Sequence, residues 1–149
     1  MTRFVLTCAT FVLAAPVPAA DPAKPAAVTF DGKVMPLADA LKKLGARPDA
    51  DTTGVALVAA DGTVYTLVKD EKSRLLFLDK QLHNREVRLT ARVLPGTQTL
   101  KVEKVQTVAK GGKVFDVDYW CENCQLAAAE PGKCMCCGAD LVLRERPVK

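Results

Sequence analysis

Histidine is all but missing from this chain of 149 residues, in which His83 stands alone. A single imidazole rules out paired-histidine metal sites and the His-x-x-x-His pattern of zinc hydrolases. His83 lies in Leu82-His83-Asn84-Arg85, with no carboxylate or cysteine at motif distance, so it reads as a surface or helix-end residue. Nucleophile elbows and phosphate loops are absent too. Aromatic residues make up only 5% of the chain, and Tyr65, Phe77, Phe115, Tyr119 and Trp120 are the main candidates for a base-stacking platform. No long run of one charge sign occurs. The 21 basic and 17 acidic residues give a formal charge of +4, and they interleave, as in Lys69-Asp70-Glu71-Lys72 and Arg85-Glu86-Val87-Arg88. That is a mixed solvated surface rather than a nucleic-acid arm. Asp116 and Asp118 bracket Val117 and face one side of a strand. Without a second polar cluster they read as solvent-exposed rather than as an acid and base pair, and nothing points to an enzyme.

Beyond the first residues there is also no apolar segment long enough for a membrane. The chain opens Met1-Thr2-Arg3, runs uncharged from Phe4 to Ala15, and continues Pro16-Val17-Pro18-Ala19-Ala20-Asp21. One positive charge, a short apolar run and small residues before a polar exit predict a secretory signal peptide over residues 1–20, cleaved after Ala19 or Ala20. Cys8 then leaves with the signal; its alternative is a lipoprotein acylation site. Residues 21–27 (DPAKPAA) form a Pro/Ala-rich leader expected to be disordered. The mature protein is expected to be exported, periplasmic or extracellular.

The middle of the chain is strand-rich. Val28-Thr29-Phe30 and Lys33-Val34-Met35 about Asp31-Gly32 predict a short strand pair. Pro36 at a first helical position, Leu37, Leu41 and Leu44 at helical spacing and Gly45 as a stop predict a helix that covers a sheet, completing a segment over residues 28–54. Val55-Ala56-Leu57-Val58-Ala59 meets a second strand across Asp61-Gly62. Residues 73–84, with Leu75, Leu78 and Leu82, suggest another short helix. Val87, Leu89, Ala91 and Val93 alternate with Arg88, Thr90 and Arg92. Pro95-Gly96 turns the chain into a long strand that slips register towards Val105, which suggests a bulge. Gly111-Gly112 turns it again into Val114, Phe115 and Val117. The expected fold is mainly β: a small five-stranded OB-like barrel over residues 55–118 with one or two short helices, a two-sheet sandwich being the alternative. Residues 63–108 resemble the OB-like domains of small exported bacterial proteins.

The feature most loaded with chemistry is the tail, where five of the six cysteines fall within seventeen residues: Cys121, Cys124, Cys134, Cys136 and Cys137. Cys121-x-x-Cys124 and Cys134-x-x-Cys137 have the knuckle spacing that aims two thiolates at one point, and two knuckles supply a tetrahedral site. Gly138 follows the second knuckle, where a residue tolerant of positive φ lets backbone amides turn towards sulfur. Cys121, Cys124, Cys134 and Cys137 are therefore the expected ligands of a Zn(II) ribbon over residues 119–144, followed by a tail at 145–149. The fifth thiol, Cys136, can replace Cys137, stay free, or bind a softer ion such as Cu(I). Disulfides are the competing use of these cysteines in an oxidising compartment, although five cannot all pair within one chain.

Tyr119-x-Cys121-x-x-Cys124 followed by Pro131-Gly132-Lys133-Cys134-x-x-Cys137-Gly138-x-x-Leu141 resembles the short heavy-metal-binding (YHS-like) domain attached to copper and silver efflux proteins. That family reads Y-x-C-P-M-H and then P-G-x-C-P-x-C-G-M-x-L. Here Asn123-Cys124 replaces Met-His and Ala139 replaces the later Met, which converts the site to all thiolate and favours zinc over copper transfer. The resulting expectation is an exported, non-enzymatic metal-binding protein whose partners are a metal ion and possible envelope proteins, with no nucleic acid expected. The alternatives are a thiol redox protein using the CxxC pairs and a nucleic-acid-binding OB/ribbon protein.

Overall fold

A computed structural model describes residues 25–148. The signal-peptide reading and Cys8 lie outside those residues. Eight strands form one sheet: β1 Val28–Pro36, β2 Val55–Ala59, β3 Val64–Leu67, β4 Glu86–Val93, β5 Thr99–Val108, β6 Val114–Cys121, β7 Leu126–Ala128 and β8 Val142–Pro147. Helix α1 (Leu37–Lys43) follows β1, while helix α2 (Arg74–Leu78) and a 3-10 turn (Lys80–Leu82) lie between β3 and β4. Pairings β1–β2, β2–β3, β3–β5, β5–β4 and β4–β1 close five strands into a ring. The β3–β5 seam is parallel and short, at Thr66↔Thr99 and Leu67↔Leu100. Membership of all eight strands in one sheet leaves no place for a two-sheet sandwich.

The OB-like, mainly β expectation holds, with one strand exchanged. The ring takes in β1 and leaves out β6, because Asp31-Gly32 is not a turn. It lies in mid-strand, where Gly32 faces both Ala59 of β2 and Val87 of β4. A Cβ at Gly32 would sit 2.3 Å from the Val58 carbonyl oxygen. Glycine thus permits one continuous strand to pass between two neighbours at close range, a usual role for glycine at a barrel corner. The Asp61-Gly62 hairpin forms as expected, with Gly62 at φ +84°. The predicted bulge also appears: Thr90 faces Lys104 and Ala91 faces Val102, so Glu103 is the extra residue of β5.

Inside the ring, Val34, Leu57, Val87, Leu89, Ala91, Leu100 and Val102 form a core that α2 and the 3-10 turn close with Leu75, Leu76 and Leu82. Leu76 takes the buried position expected of Leu78, which stays half exposed. The alternate face of β1 and β2 carries Met35 and Ala56, and α1 covers it with Ala40 and Leu37, while Leu44 projects into solvent. Pro36 precedes α1 as its cap rather than occupying the first turn. Strand β6 leaves the ring from β5, pairs with β8 along Phe115 to Trp120 and meets β7 at its last residues, Tyr119 to Cys121. This projecting three-stranded ribbon carries the cysteines.

Candidate metal centre

The first knuckle is the turn of the β6–β7 hairpin. Cys121 closes β6 opposite Leu126, and the chain reverses over residues 122–125, with the Gln125 N–H donating to the Cys121 carbonyl at 2.8 Å. The second knuckle closes a smaller hairpin, in which Lys133 bridges to Asp140 and the Gly138 N–H donates to the Cys134 carbonyl at 2.8 Å. Each knuckle ends in a left-handed residue, Gln125 at φ +55° and Gly138 at φ +72°. Gly138 is the residue expected there. Gln125 was not foreseen, and its only sequence signal is that it follows Cys124 as Gly138 follows Cys137.

These two turns bring together all four expected ligands. The Sγ atoms of Cys121, Cys124, Cys134 and Cys137 lie within 4.8 Å of one another, and Cys121 and Cys137 are 3.5 Å apart. Zn–S bonds of about 2.3 Å in a tetrahedron require sulfurs about 3.8 Å apart, so the cluster has the right size for a tetrathiolate ion. Cys121 and Cys134 are buried, Cys124 is half-buried and Cys137 is exposed. Cys136, also exposed, stands outside the four-sulfur group.

The backbone favours thiolates at equivalent places in the two knuckles. Cys134 Sγ accepts from the N–H groups of Cys137 and Cys136, which lower its pKa to about 7. The Ala139 N–H likewise lowers that of Cys137. Cys121 Sγ receives the corresponding amides of Cys124 and Asn123; the Cys124 N–H is its strongest influence, yet desolvation and the neighbouring thiols of Cys134 and Cys137 outweigh it and raise the pKa. Cys124 is raised as well, first by hydrogen bonding with the thiols of Cys136 and Cys137 and then by desolvation. Four crowded sulfurs cannot all ionise without a compensating charge, whereas a divalent cation converts the mutual repulsion into coordination. The residues present therefore suit a soft-tolerant dication held entirely by sulfur.

Asp116 and Asp118, expected on the solvent face, are instead part of the ribbon's attachment. Asp118 is buried, with 9% of its surface accessible, and takes both Nε and Nη2 of Arg144 at 2.8 Å while Arg146 approaches at 3.0 Å. Asp116 pairs with Lys104 and Gln106 at 2.8 and 2.7 Å. Both carboxyls are held below the usual carboxylate range, Asp118 chiefly by Arg144 and Asp116 chiefly by Lys104. Such tight pairing with cations suits structure more than proton transfer. Arg144 also stacks over Trp120 at 3.8 Å, and Tyr119 donates to Asp79 Oδ2 at 2.8 Å in the ring's core. His83 caps the 3-10 turn, with Nε2 2.9 Å from the Leu76 carbonyl oxygen. No protein family, curated protein or solved structure matches this chain.

Proposed function

We propose that this is an exported, non-enzymatic metal-binding protein in which one Zn(II), held by Cys121, Cys124, Cys134 and Cys137, locks the projecting ribbon onto an OB-like ring. The convergence of four Sγ atoms within 4.8 Å carries this reading. In it the tail is an all-cysteine counterpart of the short heavy-metal-binding domains it resembles, with zinc serving the fold and a partner-facing surface rather than being handed on. Burial of Cys121 and Cys134 at the ends of paired backbone segments supports a fixed structural ion over an exchanging one. Nucleic-acid binding is less well supported, because oligonucleotides use the face of OB strands 2 and 3, and here Val58 of β2 and Val64 of β3 pack against the cluster that α1 forms with Met35 and Ala56.

Elemental analysis of the freshly purified mature chain, with thiols kept reduced, should find about one zinc per chain. Copper in its place would redirect the reading to Cu(I), and absence of metal with closed CxxC disulfides in the mass spectrum would end it. Cys137→Ser should lose the ion. Cys136→Ser should keep it, since Cys134 and Cys136 lack knuckle spacing; the reverse order would reassign the fourth ligand.

A further inference from the structure

Among the described residues, the ribbon has two strands that pair on one side only, and their open edges differ in chemistry. Strand β8 pairs with β6 alone and carries Arg144-Glu145-Arg146-Pro147. Two such strands centred on Glu145 would set that carboxylate against its own copy and Arg144 against Arg146, and Pro147 lacks a backbone donor, so charge and proline guard this edge. Strand β7 also pairs with β6 alone, and nothing of the kind guards it. Gln125-Leu126-Ala127-Ala128-Ala129 has neither charge nor proline. Leu126 is 45% exposed, Ala127 is exposed and Ala128 is half-buried, so solvent reaches the edge.

A groove of about 380 Å³ lies between β7 and the second knuckle, lined by Leu126, Ala128, Cys134, Leu141 and Met135, the last of which is 97% exposed. The charges on its rim are already matched, Glu130 by Arg74 at 3.3 Å and Lys133 by Asp140 at 2.7 Å. The occupant that complements such a groove beside an open strand edge is an uncharged extended segment with an apolar side chain. Strand β7 is itself a segment of that kind.

We propose that this edge is a dimerisation surface, on which β7 of a second copy pairs antiparallel about Ala127. In that register Leu126 of each copy stands opposite Ala128 of the other. Leu126 and Ala128 share one face of β7, the face of their cross-strand partners Cys121 and Tyr119. Each leucine is thus set beside the small residue that lines the neighbour's groove. Ala127 meets its own copy and Gln125 meets Ala129, so no like charges oppose one another. The contact uses the same patch on both copies and closes at two. A strand of three residues makes a small interface, which predicts a reversible dimer rather than a permanent one. The pairing goes beyond the metal reading, since it uses the open edge of the ribbon and no sulfur.

Sedimentation velocity of the purified mature chain, from micromolar to near-millimolar concentration, tests this, with thiols kept reduced so that no intermolecular disulfide contributes. Wild type should pass from monomer to dimer across that range. Leu126→Lys should weaken association about tenfold, because symmetry removes the leucine from both halves of the contact. Ala127→Lys and Ala127→Glu each set like charges face to face at the two-fold axis and should weaken it about fivefold, whereas an equimolar mixture of the two should recover wild-type association. Circular dichroism checks that each variant is folded. Wild type that stays monomeric throughout, even where it takes up a leucine-bearing extended peptide, would overturn the pairing, as would a mixture no tighter than its components. Zinc measured on the same samples judges the metal reading separately. A metal-free dimer upholds the pairing and ends that reading, and a zinc-loaded monomer does the reverse.

Discussion

Replacing Tyr119 by Phe removes one hydroxyl from the place where the cysteine-bearing ribbon joins the ring. Tyr119 lies on β6 two residues before Cys121, is 1% exposed, and belongs to the same apolar core as Leu57, Leu89 and Leu100. Its O–H donates to Asp79 Oδ2 at 2.8 Å, while Asp79 Oδ1 accepts the Gln81 N–H at 2.8 Å and so caps the 3-10 turn. Burial, together with that contact, raises the phenol's pKa well above its usual value, so the hydroxyl remains a donor throughout the pH range of any ordinary measurement. Phenylalanine preserves the ring packing and deletes only the donor, which leaves one buried carboxylate oxygen short of a partner. A hydrogen bond to a charged group contributes about 1.5–3 kcal/mol, so Tyr119→Phe should cost about 2 kcal/mol. An unfolding entropy of about 2.1 cal/mol/K per residue over about 125 ordered residues turns this into a fall of about 8 °C in Tm. Urea unfolding followed by circular dichroism, on zinc-loaded protein, measures the difference, and the slope should not change. A loss below about 0.5 kcal/mol would mean that water takes over the donor's part, and that the ribbon is not tied to the helical segment through this pair.

Gly32→Ala should destabilise the ring by about 3 kcal/mol or abolish soluble expression, because the added methyl meets the Val58 carbonyl rather than a side chain that can move; a near-neutral denaturation midpoint would show that β1 and β2 can separate there. Asp118 supplies pH dependence of known sign. Arg144 depresses its folded pKa, so its contribution is complete above the usual carboxylate range and is lost as pH falls through the folded value. Asp118→Asn should therefore cost about 2 kcal/mol near neutrality and flatten the acid limb of a stability profile, and an unchanged acid limb would count against the pairing. Metal removal should raise hydrogen exchange across the knuckles and β7 while the ring strands stay protected, since Tyr119, Leu141 and Leu143 pack on the ring core independently of the ion. Simultaneous loss of protection throughout the ring would show that the ion holds the whole fold.

Much of this architecture is written in local pattern. Strict alternation of Val87, Leu89 and Ala91 with charged and polar residues gives β4 its buried face, since a strand has period two and one side must leave water. The Asp61-Gly62 hairpin and the slip in β5 are likewise visible in turn chemistry and in a broken alternation. The four-sulfur group was legible because knuckle spacing is a short-range constraint: two residues between cysteines suffice to aim both sulfurs of a knuckle at one point, whatever the rest of the chain does. Long-range relations were decided elsewhere. Asp31-Gly32 has the composition of a turn, yet competition between β2 and β4 for the same strand keeps it extended, and only the closed ring supplies both neighbours. Asp118 has the alternation of an exposed residue, and β8, arriving from twenty-six residues downstream, covers it with Arg144. Residue order settled which sulfurs meet; tertiary pairing settled where that cluster is anchored, because burial depends on neighbours that local sequence does not contain.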